Sequence, residues 1–370
     1  MKFVSLGMLT LDDLIFSQSN QKQSDHYNTL GGAGTYAVLG ARIIAGPTDS
    51  NSIGWVVHEG TDFPVSAKSE VDSWKIRTRY IRTPNRLTTK GRNVYVGEDR
   101  TFNFETPKMQ VTPYMLDSDQ LQAKSFHIIG TPARCIDLVQ STMELRKAQP
   151  QGNNSRDRPP RPIFVWEPME HSCCPDALDD FEATMELVDV FSPNELEFAK
   201  LVGFDLQAGQ HLPLQTMQEY SYRFIENCRL QSVVVRLGGN GAFVASRDPT
   251  LHYRTLPAYY RPGTDISTQA VVDVTGGGNA FLGAFSYVLA SDQDFSEWNL
   301  PSFLNRQEIA ALAGAVAASF TIEQFGMPKL EERENIGETW GRKGGAVSSR
   351  MQVFSAELRS APDDKANNQS

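Results

Sequence analysis

The sequence predicts an α/β core of parallel strands joined by crossover helices, carrying a small antiparallel sheet. Three observations predict it. Strand-like apolar runs alternate with helical segments along most of the chain. A stretch rich in Thr, Arg, Tyr and Val, with period-two alternation, interrupts that rhythm. Near the C-terminal end, three consecutive glycines follow an apolar run and open onto an almost wholly apolar helix.

The first strand is Phe3–Leu9, followed by a helix over Gly34–Ala45. Trp74–Phe104 is the alternating stretch, with Gly97-Glu98-Asp99 as its hairpin turn. Strands follow at Phe126–Gly130, Ile163–Trp166, Val188–Phe191 and Val233–Leu237, with helices at Ile136–Lys147 and Glu195–Leu201 between them. Gln149–Pro162 is polar and proline-rich and reads as a variable surface loop. Ala280–Ala290 is the apolar helix behind the glycines. From Glu331 the chain turns polar and charged, which predicts a C-terminal extension over 331–370 whose last stretch, Ser360–Ser370, is disordered.

Composition narrows the function. A chain of 370 residues that is 40% hydrophobic can bury a large core, and its net charge of −9 argues against a nucleic-acid or anionic-membrane surface. No run approaches transmembrane length. MKFVSLGMLTLDD reads as a first strand rather than a signal peptide. Cys135, Cys173, Cys174 and Cys228 fit neither a zinc site nor a Cys-x-x-Cys pair, which implies buried or inert thiols in a reducing cytoplasm. The six histidines show no ligand spacing.

Two glycine-rich stretches could handle phosphate. Gly31-Gly32-Ala33-Gly34-Thr35-Tyr36-Ala37 contains G-x-G-x-x-A, but polar residues rather than a buried strand precede it, so a NAD turn is disfavoured. A tightly packed helix entry, or a loop whose backbone approaches a small polar ligand, fits as well. The second stretch, Val272–Phe281, has the right context of strand, glycines and helix. Backbone N–H groups of Gly276, Gly277 and Gly278, with the positive end of the helix dipole, make an anion site. The alternative is a tight turn with Asn279 as helix N-cap. A run of three glycines exceeds what a simple turn needs, which favours the anion site.

Taken in order, the motifs resemble the ribokinase/PfkB family of carbohydrate and nucleoside kinases over about residues 1–330. Gly7–Asp12 is similar to the family's first strand ending in a substrate-binding aspartate. Gly31-Gly32 resembles its double glycine, Gly97–Phe102 its lid hairpin and Ser192–Glu197 its Asn-x-x-Glu motif. Leu237–Ala242 resembles the turn beside the nucleotide, and Asp273–Phe281 the signature Asp-x-Thr-Gly-Ala-Gly-Asp-x-Phe. The resemblance is closest to the fungal branch that includes the yeast killer-virus maintenance protein. It implies a ribokinase-like three-layer α/β/α core with a central, mostly parallel sheet and a small antiparallel β lid from about 13–28 and 74–108. It also implies ATP and Mg2+ as cofactors, a small-molecule hydroxyl acceptor and a homodimer formed through the lid. Asp12, Gly31, Gly32, Tyr36 and Arg100 would then face the acceptor, and Asn194, Arg236, Gly238, Gly241 and Thr275 the nucleotide. Glu197 would face the metal, and Gly276, Gly277, Gly278 and Asn279 the transferred phosphoryl group.

Four residues depart from the pattern: Asn279 for the final, proton-accepting aspartate, Tyr36 for an asparagine, Arg236 for a threonine or serine, and Glu167 for an aspartate. An asparagine can hydrogen-bond a hydroxyl but cannot take its proton. Losing a general base costs about 10²–10⁴-fold in rate, or roughly 3–5 kcal/mol. Asp12 and Asp13 read equally as hydroxyl-binding groups or a solvated turn. Asn194 and Glu197 also make a respectable helix start, and Arg100 reads more simply as a hairpin charge. The first functional reading is a slow ATP-dependent kinase. The second is a non-catalytic ligand-binding or scaffold protein with the same fold, and the third is nicotinamide-dependent redox chemistry at 31–37.

Overall fold

The computed structural model describes residues 1–17, 23–97, 99–149, 160–207, 209–248, 253–261 and 270–360. Most of the loop expected at 149–162 and the expected disorder at 361–370 lie outside them. In chain order the elements are β1 (Phe3–Ser5), β2 (Thr10–Phe16), β3 (His26–Gly31), α1 (Ala33–Asp49), β4 (Ile53–Glu59), α2 (Val65–Ser73), β5 (Arg77–Arg82), β6 (Lys90–Val96), β7 (Asp99–Phe104), α3 (Ser118–Leu121), β8 (Ser125–Gly130) and α4 (Pro132–Ala148). They continue as β9 (Ile163–Pro168), α5 (Leu178–Met185), β10 (Val190–Phe191), α6 (Glu195–Leu201), α7 (Leu214–Asn227), β11 (Ser232–Arg236), β12 (Ala242–Ser246), β13 (Tyr253–Leu256), α8 (Gly277–Ala290), α9 (Arg306–Thr321), β14 (Leu330–Arg333), β15 (Gly337–Trp340) and α10 (Val347–Ser360).

The main sheet has the order β13-β12-β11-β10-β9-β8-β1-β4-β5, parallel from β11 to β5 with an antiparallel edge at β12 and β13. Both faces are buried, as a parallel sheet requires. On β9 the alternation is plain: Phe164 and Trp166 join the apolar cluster with Phe181, Phe191 and Phe224, while Val165 joins the opposite cluster with α1, α8 and α9. The same period of two carries His127 of β8, Glu167 of β9 and Arg236 of β11 toward the α8 face, His127 in mid-strand and the other two at the carboxyl ends of their strands. Ligands in open α/β sheets bind at those ends. α8 crosses α1 so closely that a Cβ on Gly40 or Gly283 would overlap the facing backbone at Ala280 or Ala37.

A second sheet, β3-β2-β6-β7, stands over this end. It is mixed rather than antiparallel: β2 pairs with β6 in parallel, and with β3 in antiparallel register. β6 and β7 form the expected hairpin, Val96 opposite Asp99. Three expectations need correction here. The run Phe3–Leu9 is not all strand: β1 ends at Ser5, residues 6–9 lie outside any strand with Gly7 passing against Gly34, and β2 of the second sheet begins only at Thr10. The first part of Trp74–Phe104 is not lid, because β5 pairs with β4 at the main sheet's edge. Its Tyr80 and the preceding Ile76 pack on the core there.

The third correction concerns the C-terminal segment. Through residue 360 it is no loose extension: β14 and β15 pair, and α10 packs on α9. Trp340, Met351 and Phe354 are almost fully buried. Two of its charges are paired inside the fold, while others such as Glu331 and Arg333 stay exposed. Arg350 meets Glu323 and lies 3.6 Å from the Phe320 ring centre, and Glu338 grips the buried Arg42 through both guanidinium ends. No helix among the described residues is long and apolar enough to cross a membrane. The four cysteines are free; three are buried, and Cys174 is exposed instead.

Candidate active site

The site begins with the strand ends. Arg236 Nη1 donates to Glu167 Oε1 at 2.7 Å, and its Nη2 lies 3.1 Å from the Ser192 carbonyl and 3.4 Å from Glu197 Oε2. His127 Nε2 lies 3.4 Å from Glu167 Oε2, with its Nδ1 3.1 Å from Ser5 Oγ. Burial pushes the Glu167 carboxyl up, but Arg236 and His127 prevail and hold it below the ordinary carboxylate range. Glu197 goes the other way, pushed up to about 7 by burial, because the guanidinium sits closer to Glu167.

The glycine turn sits directly above this cluster. Gly276, in the left-handed region at φ 77°, is the N-cap of α8, so Asn279 is the third residue of the helix and not its cap. A Cβ on Gly276 would run into the Tyr36 ring, one on Gly278 into Arg236 Nη1, and one on Gly277 would come to 2.9 Å from the Ile322 Cγ2 methyl. Each glycine therefore has its own packing reason. The Gly277 N–H donates to the Val274 carbonyl, whereas those of Gly278 and Asn279 open the helix without intrahelical acceptors. Asn279 Nδ2 donates to Glu167 Oε2 at 2.5 Å.

A cavity of about 590 Å³ lies between the turn and the second sheet. Asp12, Asn93, Arg100 and Phe102 line it from the lid, Gly32 and Tyr36 from the start of α1, and Thr275, Gly276 and Asn279 from the glycine turn. Lys108, Arg134 and His171 add positive or titratable groups at its rim. Asp12 is buried; Thr10 Oγ1 donates to one carboxylate oxygen at 2.7 Å and Asn93 Nδ2 to the other at 3.3 Å. Burial pushes its pKa up. A Cβ on Gly31 would overlap that carboxylate. Asp13 is also buried, bound to Lys90 Nζ at 2.9 Å and the Asn28 N–H at 3.0 Å, so neither aspartate belongs to a solvated turn. Arg100 is more than a hairpin charge: its Nη1 donates to Thr275 Oγ1 at 2.5 Å and ties lid to glycine turn.

Gly238 and Gly241 frame the turn between β11 and β12 with positive φ, beside a second cavity of about 380 Å³ lined by Gly239, Asn240, Thr255, Pro257 and Arg261. Asn194 and Glu197 form a full capping box on α6, Asn194 Oδ1 receiving the Glu197 N–H and Glu197 Oε2 the Asn194 N–H. With Arg236 also on Oε2, Glu197 is engaged within the protein. Among the described residues no group of three or more His, Cys, Asp or Glu could hold a metal ion. Glu197, expected to face the metal, here caps α6 and pairs with Arg236.

The structure thus brings Asp12, Gly32, Tyr36 and Arg100, four of the five residues expected to face an acceptor, and the glycine turn to one cavity, with Gly31 packed on the Asp12 carboxylate, and gathers Asn194, Glu197 and Arg236 beneath it. Sequence reading missed His127 and Asn93, and it noted Glu167 only as a departure from a pattern. A titratable residue inside one apolar strand run, His127, and another just past the neighbouring run, Glu167, were the available signal.

Two sheets meeting over a cavity, with a glycine-opened helix at its floor, define an α/β protein whose cavity lies at the carboxyl ends of its parallel strands. The chain belongs to the pfkB family of carbohydrate kinases, whose profile it matches over residues 3–328. It is similar to protein MAK32 of Saccharomyces cerevisiae, 32% identical over 357 residues that cover 91% of this chain and 88% of that one. Among solved structures, a ribokinase of Giardia lamblia superposes with a TM-score of 0.63 at 17% identity, over 97% of this chain and 98% of that one. An Escherichia coli protein assigned as ribokinase II, in complex with ATP and Mg2+, gives 0.62 at 16% identity, over 96% and 99%. The fold is the ribokinase fold.

Proposed function

We propose that the protein transfers the γ-phosphoryl group of ATP to a hydroxyl of a sugar, nucleoside or related small molecule, at a low or altered rate. The observation that carries this reading is the cavity itself, which runs from the buried Asp12 carboxylate to the open N–H groups of the glycine turn. Asp12 accepts hydrogen bonds from acceptor hydroxyls, oriented by Thr10 and Asn93. Gly31 and Gly32 keep the chain close, Tyr36 walls the cavity, and Arg100 holds the lid over Thr275. ATP supplies the phosphoryl group, its nucleoside end lying toward Gly238 and Gly241. The N–H groups of Gly278 and Asn279, the α8 dipole and Arg236 receive the charge that develops, and such transfer depends mostly on positioning. Asn279 orients the reacting hydroxyl without taking its proton. Mg2+ enters this proposal as the nucleotide's own counter-ion, since Glu197 is engaged elsewhere. A homodimer through the lid and a cytoplasmic location belong to the same proposal.

A second reading, a ligand-binding or scaffold protein without turnover, is favoured by one observation: three protein acceptors already engage Arg236. Calorimetry with ATP and Mg2+, followed by transfer assays across a metabolite library, separates the two. Nucleotide binding with transfer to any hydroxyl supports the kinase. Binding without transfer supports the second reading, and no binding removes the first.

A further inference from the structure

Glu167 lies almost out of solvent at the end of β9, and every group that faces it is identifiable. Arg236 comes from β11, His127 from β8 and Asn279 from α8, while Glu197 of α6 stands behind Arg236. An ionised carboxylate only accepts hydrogen bonds. The Asn279 amide must therefore turn its NH₂ toward Glu167, which leaves its carbonyl oxygen facing away, in the residue that lines the cavity.

We infer that Glu167 is a positioning residue: it locks the Asn279 amide so that the carbonyl addresses the acceptor's reacting hydroxyl, and it makes asparagine, not aspartate, the residue this site can hold. The role toward the acceptor rests on the proposed function. The coupling between 167 and 279 does not.

An aspartate at 279 would set a carboxylate oxygen where the amide nitrogen now lies, 2.5 Å from Glu167 Oε2. Two carboxylates at that distance cannot both ionise, so the pair must bind a proton that the wild type does not. Its folded pKa then rises above the unfolded value. Stability is kept at low pH and lost as pH rises through that raised pKa. Restoring the acid at 279 therefore harms the site, and neutralising Glu167 removes that like-charge part of the cost, leaving only what E167Q costs by unpairing Arg236.

The test is a cycle on the full chain: wild type, N279D, E167Q and E167Q/N279D, with thermal unfolding from pH 5 to pH 9. We expect N279D to lower Tm by about 4 °C or more at pH 8, with a smaller deficit at pH 5, and the double variant to lose clearly less than the sum of the N279D and E167Q losses, since E167Q alone also unpairs Arg236. An N279D deficit that is absent, or that stays constant with pH, overturns the coupling, as does a double variant whose loss equals that sum. Should N279D not fold, folding of the double variant supports the coupling and its failure overturns it. In any transfer assay that registers turnover, E167Q lowers kcat while KM stays within about twofold, because a neutral amide no longer dictates which way Asn279 points. Transfer that is absent on all acceptors sinks the kinase reading, while the pH-dependent cycle, which needs no substrate, still decides the coupling.

Discussion

Replacing Arg236 with methionine would test the cluster beneath the glycine turn most directly. The Arg236 side chain is 11% exposed, that of Glu167 7% and that of Glu197 9%, so the change removes the shared cation from two buried acids while keeping much of its bulk. Breaking a buried ion pair from one side costs about 3–5 kcal/mol, because the orphaned charge stays out of water. The pH dependence fixes the cause. In the wild type Glu167 is held low, so its contribution is complete above the unfolded carboxylate value and is lost only as pH falls toward the folded one. Without Arg236, burial acts on Glu167 with only His127 and the Asn279 amide to oppose it. Its folded pKa then moves above the unfolded value, and the contribution changes sign: stability falls as pH rises. Glu197, already raised to about 7 by burial, moves the same way.

The destabilisation should therefore reach about 3–5 kcal/mol at pH 8 and shrink markedly at pH 5. Urea unfolding followed by tryptophan fluorescence reads it, with Trp166 adjoining Glu167 in sequence and fully buried. Arg236→Lys should fall between, since one ammonium cannot reproduce a fork that meets three acceptors. A loss below about 1 kcal/mol at pH 8 would refute the reasoning, as would a loss independent of pH.

Three further outcomes follow from the geometry. Gly277→Ala should cost less than about 1 kcal/mol in denaturant unfolding because only the Ile322 methyl must yield, whereas Gly276→Ala should cost about 1–3 kcal/mol through its left-handed φ and the Tyr36 ring. Asp12→Asn should weaken acceptor binding about tenfold or more by calorimetry, yet raise Tm at pH 8, since burial lifts the Asp12 pKa and so disfavours its charged form. Phe354→Ala should cost about 3–5 kcal/mol, and a loss under about 1 kcal/mol would mean that α10 is not part of the core.

Much of the scaffold was legible because it is local. The apolar period of α8, the Asn-x-x-Glu start of α6 and the Val96–Asp99 hairpin each carry their signal within a few residues. The C-terminal segment was not legible, because its buried residues stand among charges whose partners are remote. Glu338 pairs with Arg42, 296 positions away, and Arg350 with Glu323 on the far side of a hairpin. A charge paired at such a distance looks in sequence like a solvated one. Glu167 is the same case inside the site: nothing near it in the chain announces Asn279, 112 positions later.

The glycine triplet shows how an expectation can rest on the weaker of two reasons. Three glycines in a row favoured an anion site because a plain turn has no need of them, yet Tyr36, Ile322 and Arg236 each account for one by contact alone. What argues for an anion is narrower: the unclaimed N–H groups of Gly278 and Asn279, a guanidinium pressed against Gly278, and a cavity ending there. The asparagine takes on a different meaning in the same light. A carboxylate still stands 2.5 Å from the side chain of residue 279, but it belongs to Glu167 and is tied to Arg236 and His127. The negative charge at the floor of the cavity sits on Glu167, where it orients the amide of residue 279. Under the proposed transfer, a single change at 279 acts on half of a coupled pair.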